Sequence, residues 1–173
     1  ISARIEESVR VPTRTSTLPG FRRWAQSDTF PEDYPVSFLD GELWIDMSPE
    51  DLYCHNKVKG EYGAILTILL KTHRIGSYFC DGARLSNVSA NLSTTPDGVF
   101  VTWEAFKAGR VRQIRGKQGF IELEGTPDMV LEVVSATSVK KDTVDLRDQY
   151  WRAGIPEYWL VDARGLQPEF DIL

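Results

Sequence analysis

The stretch Met129-Val130-Leu131-Glu132-Val133-Val134-Ser135 places one carboxylate in the middle of an otherwise apolar run. A short, dense apolar run reads as a buried strand. A charged side chain there is costly unless it is paired or coordinated. A second acid, Asp97, follows Pro96 and leads into Gly98-Val99-Phe100-Val101, which is again strand-like. Two acids on strands that can be neighbours are satisfied together when one cation sits between them. The competing reading is that Asp97 caps a turn after Pro96 while Glu132 pairs with a Lys or Arg.

The 173 residues suit one domain. Residues 1–20 are rich in Ser, Thr, Arg and Pro without a clear period, and are expected to form an N-terminal arm; residues 21–173 are expected to form the single domain. The formal net charge of −5 speaks mildly against a protein that coats nucleic acid non-specifically. It does not exclude a nuclease, whose local cations matter more than the sum. Two cysteines, Cys54 and Cys80, make neither a disulfide framework nor a zinc motif, which points to a reducing, cytoplasmic setting. The longest apolar run, Ala64 to Leu70, is far short of the ~20 residues of a membrane span, so no membrane association is expected.

Asp40-Gly41 between Val36–Leu39 and Glu42–Met47 is a hairpin signal, because both turn residues tolerate positive φ. A helix is expected from Ser48 as N-cap to about Thr72, with a helical turn near Phe21–Phe30 before the hairpin. Strands are expected at 76–80, 83–89, 98–103, 120–123, 129–135 and 157–162. One helical turn is expected at 104–108 and a helix at 142–153, closed by Gly154. The basic stretch from Arg110 to Lys117 reads as a solvated hairpin or loop. This order gives an α/β fold class: a mixed central sheet flanked by helices, with the arm and hairpin at its N-terminal side.

Hydrolysis of a phosphodiester needs charge neutralisation at the phosphate and an activated water. Mg²⁺ supplies both and prefers carboxylate oxygens, with Mn²⁺ as a substitute. On this reading Asp97 and Glu132 are the metal ligands, and the Val133 carbonyl is a possible third. His55, near the start of the long helix, has a pKa suited to a proton carrier or phosphate contact.

The order Leu39-Asp40-Gly41-Glu42-Leu43-Trp44, His55, Pro96-Asp97-Gly98-Val99, Pro127-Asp128-Met129-Val130-Leu131-Glu132-Val133-Val134-Ser135 and Tyr150-Trp151-Arg152-Ala153-Gly154-Ile155-Pro156-Glu157-Tyr158-Trp159 resembles the Uma-type family. Its members are bacterial proteins described as restriction endonucleases and assigned to the PD-(D/E)XK nuclease superfamily. The likeness spans roughly residues 36–165. It implies a restriction-endonuclease-like core acting on DNA as a homodimer, with Asp97 as the acid of the "PD" and Glu132 as the second acid. That superfamily normally has a lysine two residues after the second acid, where this chain has Val134; the resemblance offers Lys140 and Lys141 as replacements. Many relatives carry a lysine inside the following helix, where this chain has Leu146-Arg147. Glu42 corresponds to an acid that the superfamily often adds, and the likeness includes His55. The alternative function is a catalytically weakened nuclease-fold module used in DNA binding or dimerisation.

Overall fold

Asp40 and Gly41 take φ of 50° and 97° and join β1 (Val36–Leu39) to β2 (Glu42–Ile45), with Leu39 opposite Glu42. These positive angles match the right-handed twist of the two strands, which is why Asp-Gly sits there. The computed structural model describes residues 9–31, 33–117 and 119–173. Before the hairpin, a 3₁₀ turn at Thr13–Ser16 leads into α1 (Leu18–Ala25). The expected arm is therefore structured from Thr13 onward, and residues 1–8 lie outside the described residues. The reason is apolar spacing: Leu18, Phe21 and Trp24 straddle the expected boundary and are buried together against Val36 and Phe38. Thr17 caps the helix by accepting a hydrogen bond from Gly20 N.

The long helix starts later than Ser48. Asp51 accepts hydrogen bonds from the amides of Tyr53 and Cys54, at 2.9 and 2.6 Å, and caps a π-helical turn at Leu52–Asn56 that runs into α2 (Lys57–His73). Ser48 is held instead by Asp46 and by Thr137. After α2 come β3 (Gly76–Cys80), β4 (Arg84–Asn87), β5 (Leu92–Thr94), β6 (Gly98–Thr102), α3 (Trp103–Lys107), β7 (Val111–Gly116), β8 (Gly119–Gly125) and β9 (Met129–Val133). A second π-helical turn at Lys141–Asp145 opens α4 (Leu146–Arg152), followed by β10 (Glu157–Asp162) and β11 (Glu169–Ile172). Gly154 ends α4 with φ of 69°.

The strands form two mixed sheets rather than one: β2-β1-β5-β4-β8-β7, and β11-β10-β9-β6-β3. One of the crossings between them is Thr95-Pro96-Asp97, between β5 and β6. Pro96 has no N–H to give to a ladder, so pairing stops there and restarts in the other sheet. The short β5 and the terminal β11 were not expected from sequence. Parallel pairs occur once in each sheet, β4 with β8 and β9 with β10.

In β9, alternate residues face opposite ways. Met129, Leu131 and Val133 pack with Leu66 of α2. Val130 and Val134 lie in the other core cluster, with Leu146 and Tyr150 of α4 and with Leu85, Leu92 and Leu123 of the six-stranded sheet. Glu132 shares that second face. Among the described residues, no helix is long and apolar enough to cross a membrane.

Candidate active site

Gly98 pairs with Leu131 in the antiparallel β6/β9 ladder, so the continued register sets Asp97 opposite Glu132. Asp97 stands where the ladder ends. Its backbone carbonyl accepts from Asp81 N on the β3 side. Its carboxylate takes the place of the next ladder carbonyl, with Oδ2 accepting from Val133 N at 2.7 Å. Within an extended strand the N–H and C=O of one residue leave from the same edge. The Val133 carbonyl thus projects from the edge where Asp97 lies.

Glu132 is only 3% exposed, and its Oε1 accepts from the Tyr150 hydroxyl at 2.6 Å. Burial pushes its carboxyl well above the usual range; the charge of Lys141 works against that, and those of Asp142 and Asp97 add to it. Lys141 stands 3.3 Å from Asp142 Oδ1. Burial alone would favour its neutral form, but Glu132 and Asp142 outweigh that and raise its pKa. Asp142 is 1% exposed. Ser138 donates to its Oδ2, while Oδ1 receives no well-aligned hydrogen bond.

From the other side, the start of α2 brings two basic groups to Asp97. His55 Nε2 lies 3.5 Å from Asp97 Oδ2, and its Nδ1 lies 2.8 Å from Glu50 Oε1. Burial opposes the charged imidazole, but Asp97 and then Glu50 outweigh it and raise the pKa. Lys59 Nζ stands 3.6 Å from Asp97 Oδ1 and 3.3 Å from Asp81, and also pairs with Glu50. Burial works to raise Glu50, yet its bonds from Lys59, Asn56 and His55 hold it at about 2.

These groups wall one open cavity of about 880 Å³, which Asp97, Glu132, Val133, Lys141, His55 and Lys59 all line. A recess of about 530 Å³ beside α2 shares Lys59, Asp81 and Asp97 with it, so a trough runs past the acid. Two expected residues lie elsewhere. Glu42 is exposed beside the hairpin turn, and it is Asp46, just past the far end of β2, that lines the cavity. The remaining three residues of β2 separate the two, and the hairpin points its turn away from the site. Lys140 is also outside: it pairs with Asp145 and lies 5.7 Å from the Trp44 ring centroid. Adjacent positions on a helical turn point about 100° apart, and here the turn directs Lys141 inward and Lys140 toward Asp145.

Lys59, Glu50, Asp142 and Asp46 escaped the sequence reading. The four-residue step from His55 to Lys59 was the available signal, since i and i+4 share a helix face. Tyr150 packs edge-on to Tyr158, with ring centroids 5.0 Å apart, and also holds Glu132. The basic stretch is strand β7, and its charges are engaged locally: Arg110 with Asp128, Arg112 with Glu124, Lys117 with Asp28.

Among the described residues, no group of three or more His, Cys, Asp or Glu side chains converges as a ready-made metal cage. Mg²⁺ does not need one. It keeps several waters and takes one or two carboxylates. The oxygen donors of Asp97, Glu132 and Val133 suit it in kind, and a cation would relieve the crowding of Glu132, Asp97 and Asp142 in a water-poor corner.

The family model described as "Putative restriction endonuclease" (Uma2) matches residues 18–169. A crystal structure of "a putative nuclease belonging to DUF820" from Anabaena variabilis ATCC 29413 is similar in fold, with a TM-score of 0.56 at 20% identity, covering 89% of this chain and 83% of that one. No functionally curated protein matches. The matched span takes in both acids, the α2 start and the α4 turn, so the family assignment and the cavity concern the same residues: the chain belongs to the Uma2 family.

Proposed function

We propose that the protein is a metal-dependent endonuclease that hydrolyses DNA phosphodiester bonds in this cavity. The observation that carries the reading is the opposition of Asp97 and Glu132 across β6 and β9, both open to one cavity, with Lys141 on its wall. Family membership supports it. Asp97, Glu132 and the Val133 carbonyl are the residues that would hold Mg²⁺ or Mn²⁺. The ion supplies charge neutralisation at the phosphate and an activated water. Lys141 does the work of the lysine missing at Val134: its ammonium, fixed beside Asp142, offers a preorganised cation to the developing charge. Val134 itself is fully buried and belongs to the core. His55, held by Glu50, fixes Asp97 and offers a proton-carrying group at the cavity edge.

The homodimer is part of this proposal. The edge strand β2, and the exposed Ile65, Ile68 and Leu69 of α2, are surfaces it could use.

The test is nicking of supercoiled plasmid with Mg²⁺ or Mn²⁺, run beside a calorimetric Mn²⁺ titration. Wild type should cut and bind; Asp97→Ala and Glu132→Gln should do neither while unfolding cooperatively. Unchanged cutting in both variants overturns the proposal. DNA binding without cutting or Mn²⁺ binding in wild type would instead identify the weakened module.

A further inference from the structure

The cavity is rich in acids, and its basic groups are mostly committed to them. Lys141 pairs with Asp142, and Lys59 and His55 pair with Glu50 and Asp97. Arg84 is the exception: among the described residues it has no ion pair in the cavity it lines. It starts β4, opposite Glu122 in the parallel register with β8. Glu122, however, is already bonded by Arg22 Nε at 2.8 Å and by Gln26 at 3.4 Å. The Arg84 guanidinium is held by rings instead, its Cζ 5.3 Å from the Phe21 centroid and 4.9 Å from that of Phe30. Its one hydrogen bond among the described residues runs from Nη1 to Val36 O, at 3.3 Å. A guanidinium has five N–H donors in a flat fork, so among the described residues most of this fork has no hydrogen-bond partner.

Burial brings the Arg84 pKa down to about 10 against the charge of Glu122, which Arg22 and Gln26 already bond, and leaves it charged at neutral pH. A desolvated cation with free donors is costly unless an anion meets it. Position says which anion. The β4/β5 register, Leu85 opposite Thr94, continues to Arg84 opposite Thr95. Thr95 also lines the cavity, and Asp97 follows two residues later, about 7 Å along extended chain. The stacked fork and the two acids thus line one cavity, with the fork outside the acids' ion pairs.

We propose that Arg84 binds a phosphodiester phosphate of the nucleic-acid strand that enters this cavity. Planar, ring-stacked guanidinium is the group best suited to bidentate phosphate contact. The contact gives an acidic protein a cation for a polyanion at the point where its other cavity cations are spoken for. It extends the nuclease reading by naming the group that seats the substrate, and it is tested without cleavage.

Binding of a fluorescent duplex is measured without divalent metal over a salt series, for wild type and Arg84→Gln. Loss of one phosphate contact should weaken binding and lower the slope of log K against log salt by about one unit. Wild-type slope and affinity in a folded Arg84→Gln overturn the proposal and leave the nuclease reading standing; a wild type that binds no DNA overturns both. Should Arg84→Gln fail to fold, Arg84→Lys carries the test: it keeps the charge and loses the fork, so affinity should fall about tenfold at an unchanged slope, and wild-type affinity overturns the proposal. Free phosphate shares this chemistry. Thermal stabilisation by duplex but not by inorganic phosphate at equal phosphorus assigns the site to a strand. Stabilisation by inorganic phosphate that Arg84→Gln abolishes assigns it to a small anion and overturns the strand.

Discussion

Tyr150 donates its hydroxyl hydrogen to Glu132 Oε1 across 2.6 Å, where neither side chain is more than 3% exposed. An α4 residue thereby fixes an acid on β9, tying that helix to the site. Tyr150→Phe keeps the ring packed against Tyr158 but leaves a buried acceptor without its donor. It should cost about 1–3 kcal/mol of stability in urea unfolding at unchanged m. It should also weaken Mn²⁺ binding in calorimetry, because Glu132 loses its fixed orientation. Wild-type values for both would show that the hydroxyl is idle.

Lys141 and Lys140 are neighbours in sequence with opposite surroundings. Lys141 lies in the cavity beside Asp142, whereas Lys140 pairs with Asp145 over Trp44. Lys141→Met should reduce the rate of plasmid nicking by roughly a hundredfold or more. Lys140→Met should leave it within about twofold, since an exposed ion pair contributes little. Equal losses in the two variants would remove Lys141 from the proposed chemistry.

Asp128 links three elements away from the acids. Its Oδ2 accepts from Thr102 N at 2.7 Å at the start of α3, and its Oδ1 accepts from Arg110 at 2.5 Å. Burial favours the protonated acid, but these bonds outweigh it and hold the carboxyl below the ordinary 3.8. A lowered folded pKa means stability that is present above 3.8 and lost as pH falls through the folded value. Urea unfolding between about pH 6 and pH 3 should therefore show a shallower acid loss in Asp128→Asn than in wild type. Parallel curves would contradict this.

Gly98, directly after Asp97, has a packing reason to be glycine. A Cβ there would lie 2.1 Å from the Tyr78 hydroxyl, which is buried with no hydrogen-bond partner among the described residues. Gly98→Ala must displace that ring and should cost about 1–3 kcal/mol. Thermal unfolding indistinguishable from wild type would show that Tyr78 yields freely.

By itself, the sequence determined the parts that depend on local chemistry. Asp40-Gly41 dictated a tight hairpin because both residues accept positive φ. The apolar run around Glu132 dictated a buried strand, and the motif order carried the family. Glu132 and Asp97 were legible because an acid inside an apolar run is costly and therefore conspicuous. Tertiary structure alone decided what meets those acids. Lys59 and Arg84 look like ordinary surface cations in sequence, since nothing local marks which loop or helix end will face them. The choice of Lys141 over Lys140, and of Asp46 over Glu42, turned on helix phase and on which end of a hairpin points inward. The division into two sheets turned on long-range strand pairing; Pro96 interrupts the ladder at one of the crossings between them.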